Sequence, residues 1–184
     1  MHKSNESYVY AFPAALHGDV LAALAVLPEN PRVFGTFSVR VGGEAVMLPE
    51  RIYHPTIAVA DKLTPLQQEL IHCLMTRHHD GFVRQEYLAR IIGYRRPWVC
   101  PFVVKLVGEY VIEILQVIQQ NLGGLDSSMY RHFLTENPEF LAITGQRVVS
   151  YWDCYYRDHR RGEYVGFQVL EYLRSIAASP IPQP

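Results

Sequence analysis

Glu69 and His72 stand three residues apart, the E-x-x-H spacing that puts a carboxylate and an imidazole one helical turn apart. In di-iron bundles that pair holds metal, but such sites need a second E-x-x-H and two further helical glutamates. This chain has no second copy of the motif. His78, His79 and Asp80 are consecutive, and neighbouring side chains rarely point at one ion. No metal and no cofactor is expected. Glu109 and Glu113 also lie one helical turn apart, and partly buried neighbouring carboxylates can serve as acid and base. Lys105 stands one turn before Glu109, with Arg84 and Arg147 as further cations, so a structural ion pair is the more economical account. The chain holds no G-x-S-x-G, no P-loop and no G-x-G-x-x-G. An enzyme of unknown class, assembled from Glu109, Glu113, His78 and His79, therefore ranks third among the functional readings.

Two basic clusters raise nucleic-acid recognition. Residues 82–102 have a helix-turn-helix-like spacing, with Leu88, Ala89, Ile92, Gly93, Val99 and Phe102 at fitting offsets. Between Arg77 and Lys105 there are six Lys or Arg against two Asp or Glu, a local charge of +4. Arg84, Arg95 and Arg96 in this half, and Arg157, Arg160 and Arg161 in the C-terminal loop, are the candidate phosphate contacts. Pro101 speaks against the motif. Inside a recognition helix it removes a hydrogen bond and clashes with the preceding turn, at about 3 kcal/mol. The residues after it, Val103, Val104, Leu106 and Val107, call for a core. Nucleic-acid binding is the second reading.

The first is a non-catalytic interaction module, docking to a protein partner or to a second copy of itself. Twelve tyrosines and a C-terminal third rich in Tyr, Trp and Arg carry it, because these residues dominate interface cores. Trp98, Tyr151, Trp152, Tyr155 and Tyr156 are the candidate contact residues. Helical spacing offers the competing account, in which Val148, Tyr151, Trp152 and Tyr155 pack inward and the arginines decorate a solvated turn.

The scaffold behind these residues is expected to be α+β and helix-dominated. With 184 residues, 49% hydrophobic and 19% charged, the chain suits one globular domain over residues 1–178, followed by a disordered, proline-rich tail at 179–184. A division at Asp61 would leave 60 residues with a poor core. The net charge of −1 disfavours a dedicated polyanion binder. Cys73, Cys100 and Cys154 are an odd, scattered set that fits a reducing compartment. With no secretory leader pattern and no run of about 18 apolar residues, no membrane association is expected and the chain reads as soluble and cytoplasmic.

Residues 1–12 read as an arm, and Ala14 to Leu27 as a helix stopped by Pro28 and Pro31. Alternation from Thr36 to Val41, the Gly42-Gly43 turn and a return strand to Leu48 predict a hairpin over about 36–48, with Arg51-Ile52-Tyr53 available to extend it. Thr64, Pro65 and Gln67 form a capped helix start, and a second helix spans roughly Phe82 to Ile92. Pro101 should open the longest helix, about 101–120, apolar nearly all round and central to six or seven helices. Shorter helices follow around Ser127–Leu134, from Pro138, over Gln146–Arg157 and over Tyr164–Ile176, with Asn137-Pro138, Gly145 and Arg161-Gly162 as punctuation.

Overall fold

The structure is a computed structural model that describes residues 8–25, 32–53 and 63–179. Asp61, Pro28, Pro31 and the tail beyond Ser179 lie outside the described residues. The architecture is helix-dominated α+β, with eight α-helices and one N-terminal antiparallel hairpin among the described residues. They fall into two compact units, one within Met1–Ile91 and the other within Ile92–Pro184. No helix is long and apolar enough to cross a membrane.

In the first unit the elements are α1 (His17–Leu24), β1 (Arg32–Val41), β2 (Glu44–Tyr53), α2 (Pro65–Met75) and α3 (Gly81–Ile91). The hairpin turn is the two-glycine turn, with φ of 60° at Gly42 and 85° at Gly43. Those angles belong to a two-residue turn with positive φ at both central positions, where a β-carbon would be strained. The ribbon is longer than 36–48. Its register runs from Val41 opposite Glu44 to Arg32 opposite Tyr53, so Pro49 sits inside a strand, opposite Thr36. The second strand of a two-stranded ribbon tolerates a missing donor there. One face of the hairpin buries Val39, Val41, Val46, Leu48 and Ile52.

The far edge of β2 is closed by other backbone. The Met47 N–H donates to the carbonyl of Tyr10 at 2.7 Å. Tyr8, Ala11 and Phe12 are buried, so residues 8–12 of the expected arm are packed. The Ile52 N–H donates to the Arg77 carbonyl and the His79 N–H to the Ile52 carbonyl, both at 2.8 Å. Arg77 itself is fully buried, with Nε donating to the Pro49 carbonyl at 3.2 Å and Nη2 to the Glu50 carbonyl at 2.7 Å. A guanidinium is suited to such a place because its donors form a fixed planar fork.

α2 starts as its sequence predicts. The Thr64 hydroxyl accepts from the Gln67 N–H while the Gln67 side chain accepts from the Thr64 N–H. Gln67 also donates to Asp19 of α1 at 3.0 Å, tying the two helices. Thr64→Ala is expected to lower the stability of this unit by about 1 kcal/mol, read as a lower urea midpoint with unchanged slope. Thr64→Ser should restore most of it; equal losses in both variants would mean that the cap is not the cause.

The second unit holds α4 (Cys100–Val107), α5 (Ile112–Asn121), α6 (Ser127–Glu136), α7 (Pro138–Tyr155) and α8 (Val165–Ala178). α8 packs against α4, α5, α6 and α7 and is the hub of the unit. The single helix expected over 101–120 is two helices. It stops at Gly108 and restarts after Val111, whose φ of −81° and ψ of 108° are extended. Glycine weakens a helix interior by about 1 kcal/mol. Here Gly108 also admits the stem of Arg147, whose Cδ would lie 3.1 Å from a β-carbon at 108.

The opposite correction applies at Gly145, expected to punctuate two helices but lying inside the 18-residue α7. It is buried against Leu170 and Arg174 of α8. The close helix contact holds α7 continuous where propensity alone would interrupt it.

Candidate functional site

The break between α4 and α5 brings out the most conspicuous surface of the second unit. Helix α7 carries Tyr151 and Tyr155 one turn apart, and the α4–α5 turn adds Tyr110. Ring centroids are 5.8 Å apart for Tyr110 and Tyr151, 5.9 Å for Tyr110 and Tyr155, and 6.2 Å for Tyr151 and Tyr155. These separations suit tilted aromatic contact. Tyr155 is 65% exposed and Tyr110 48%, while Tyr151 is half-buried between them.

Two further aromatic candidates build the support for this surface. The Tyr156 hydroxyl donates to the Tyr110 carbonyl at 2.7 Å, which pins the turn that presents Tyr110. Its ring stacks on buried Tyr164 at 5.0 Å. Burial raises the Tyr156 pKa, with the nearby charge of Glu113 acting in the same sense; burial pushes Tyr164 up to about 12. Both phenols are neutral at physiological pH, and the Tyr156 hydroxyl is the one that donates. Trp152 turns the other way, towards α8. Its Nε1 donates to the His159 carbonyl at 3.1 Å, its ring meets Phe167 edge-on at 5.8 Å, and Arg161 lies over both rings. Trp98 lies on a short 3-10 turn (Pro97–Val99) under the Arg96 guanidinium, and its buried Nε1 has no hydrogen-bond partner among the described residues. No described ring contact links Trp98 to the tyrosines.

The arginine candidates are dispersed. Arg84 is buried in the first unit, with Nη1 donating to the carbonyls of His78 at 2.9 Å and His79 at 2.8 Å. Arg157 pairs with Asp153 at 2.6 Å, and Arg95 with Asp126 at 3.5 Å. Arg160 is exposed at the surface. Within the second unit no described hydrogen bond, ion pair or ring contact joins Arg95 to Arg161. Arg131, five residues after Asp126, reaches the Ile176 carbonyl at the C-terminal end of α8, whereas Arg161 covers Phe167 at its N-terminal end. Every residue of α4, the second helix of the helix-turn-helix-like spacing, is buried and offers no side chain to a groove.

The acid–base candidates do not assemble within either unit. Glu109 is buried beside the helix break and Glu113 is exposed beyond it, so they no longer occupy successive turns of one helix. In the first unit His78 Nδ1 accepts from the Asp80 N–H at 3.1 Å and His79 stacks on Tyr53 at 4.9 Å. His72 is buried with its pKa lowered, chiefly by burial and then by the charge of Arg90. Among the described residues no group of three or more His, Cys, Asp or Glu is arranged to hold a metal ion. Cys73 and Cys100 are buried and Cys154 exposed, all as free thiols; burial raises the Cys100 pKa well above the usual thiol range.

Tyr110 is the residue that the sequence pattern hid, because a continuous 101–120 helix makes it one more apolar-face position. Gly108 was the available signal. Comparison of the chain with protein-family models, with curated proteins and with solved structures finds no match.

Proposed function

We propose that the chain is a non-catalytic interaction module whose second unit self-associates through the Tyr110–Tyr151–Tyr155 face. The observation that carries this is three tyrosine rings in mutual contact, two of them exposed, on a turn and helix end already braced by Tyr156. Tyrosine buries a large, rigid area with few rotamers to freeze, so ordering it on binding costs little. The surroundings favour a second copy. Glu113 lies near Tyr156, while Asp153 and Arg157 pair with each other on the other side of α7, which leaves the contact to the uncharged rings, a self-complementary patch that a two-fold pairing can bury. A strongly acidic or basic partner would have called for a single-sign rim.

Sedimentation velocity over a concentration series tests this. Self-association gives a species of twice the 21.1 kDa chain mass that grows with concentration. Tyr155→Ser combined with Tyr151→Ser should weaken it by roughly tenfold or more, the loss expected when central aromatic anchors are removed. A wild-type chain that stays monomeric up to about 1 mM removes the proposal.

A further inference from the structure

A second surface of α7, turned away from the tyrosines, forms a groove with α8 and the loop before it. Its volume is about 300 Å³, and Val149, Phe167 and Leu170 supply apolar wall while Arg161, Glu171 and Arg174 supply charge. That volume is at the small end of the range for ligand sites. Neither guanidinium has a carboxylate partner among the described residues. Arg161 instead lies over the Phe167 ring, its Cζ 4.7 Å from the centroid. Arg174 is one turn from Glu171 on α8, yet its guanidinium reaches across to α7, where Nη2 would lie 2.8 Å from a β-carbon at Gly145. Only glycine leaves that space. A glycine inside an 18-residue helix costs about 1 kcal/mol relative to alanine, so admitting this guanidinium is bought at the expense of helix stability.

We propose that this groove binds a small monocarboxylate with an aromatic or branched apolar tail. The tail covers Phe167, Leu170 and Val149, and the carboxylate accepts from Arg161 and Arg174, whose planar donor sets match it. Glu171 brings the wall to a net charge of +1 and repels a dianion such as a phosphate ester. This proposal stands apart from self-association, because its residues lie on a different face of α7.

The probe is 3-phenylpropionate, titrated calorimetrically against the full chain beside its neutral amide. Saturable binding of the acid at about 1 mM or tighter is expected, with the amide at least roughly tenfold weaker. Arg174→Gln should weaken the acid about tenfold while leaving the amide unchanged. Gly145→Ala keeps every charge and raises helix propensity, yet displaces the guanidinium, and should weaken the acid similarly without loss of thermal stability. Equal binding of acid and amide would overturn the proposal. So would unchanged affinity in both variants, or no saturation by about 10 mM.

Discussion

Replacing Arg77 by methionine is expected to destabilise the N-terminal unit by about 3 kcal/mol. The side chain is completely buried, and its Nε and Nη2 donate to the carbonyls of Pro49 and Glu50. Methionine fills most of the volume but leaves those carbonyls without these donors, and each unsatisfied buried polar group costs about 1–3 kcal/mol. The backbone of the same residue closes the edge of β2, since the Arg77 carbonyl accepts from the Ile52 N–H and the His79 N–H donates back to Ile52. The damage should therefore be local as well as global. Amide exchange at Ile52 and His79 should accelerate first and most. Arg77→Lys keeps the charge without the fork and should recover only part of the loss. A loss under about 1 kcal/mol, with exchange at Ile52 unchanged, would mean that the guanidinium does not hold the strand.

Gly166→Ala should cost the C-terminal unit about 2–3 kcal/mol, and the sign makes it diagnostic. Inside a helix, glycine to alanine ordinarily gains about 1 kcal/mol. Gly166 lies in the first turn of α8, where a β-carbon would come within 2.5 Å of Tyr164 Cε1 and 3.1 Å of both Tyr164 Cζ and Val148 Cγ1. Tyr164 cannot swing away. It is buried, stacked on Tyr156 and edge-on to Phe167 at 5.8 Å, so the clash must spread into the aromatic support of the tyrosine face. Gly145→Ala is the contrast, because its closest neighbour is the far end of a flexible arginine. Urea unfolding followed by tyrosine and tryptophan fluorescence separates the two: Gly166→Ala should shift the midpoint down and Gly145→Ala should not. A stabilised Gly166→Ala would show that the aromatic packing around Tyr164 gives way at little cost.

What could be read from the sequence was mainly local chemistry. Thr64, Pro65 and Gln67 specify a helix start through their own hydrogen bonds, and Gly42-Gly43 specify a turn through φ angles that other residues avoid. Positions decided by distant packing were harder to read. Gly145 lies within a helix because α8 packs against it, while Gly108 marks a helix end with Arg147 folded over it. Identical residues thus had opposite outcomes, and the difference came from partners more than 20 positions away. The site followed the same rule. Tyr151, Tyr155 and Tyr156 were legible as an aromatic cluster on helical spacing, but whether each ring faced solvent or core depended on the unseen turn at Gly108. Trp152 and Tyr156 became supports and Tyr110 became surface.

The most direct measurement of self-association through this face is a dilution series of aromatic NMR spectra with tyrosine rings selectively labelled. Contact through Tyr110, Tyr151 and Tyr155 requires those three ring signals to shift together with concentration, following the dimer fraction from sedimentation, while the ring signals of Tyr8, Tyr53 and Tyr87 stay fixed. Spectra that do not change on dilution, or shifts confined to tyrosines outside this face, would contradict it.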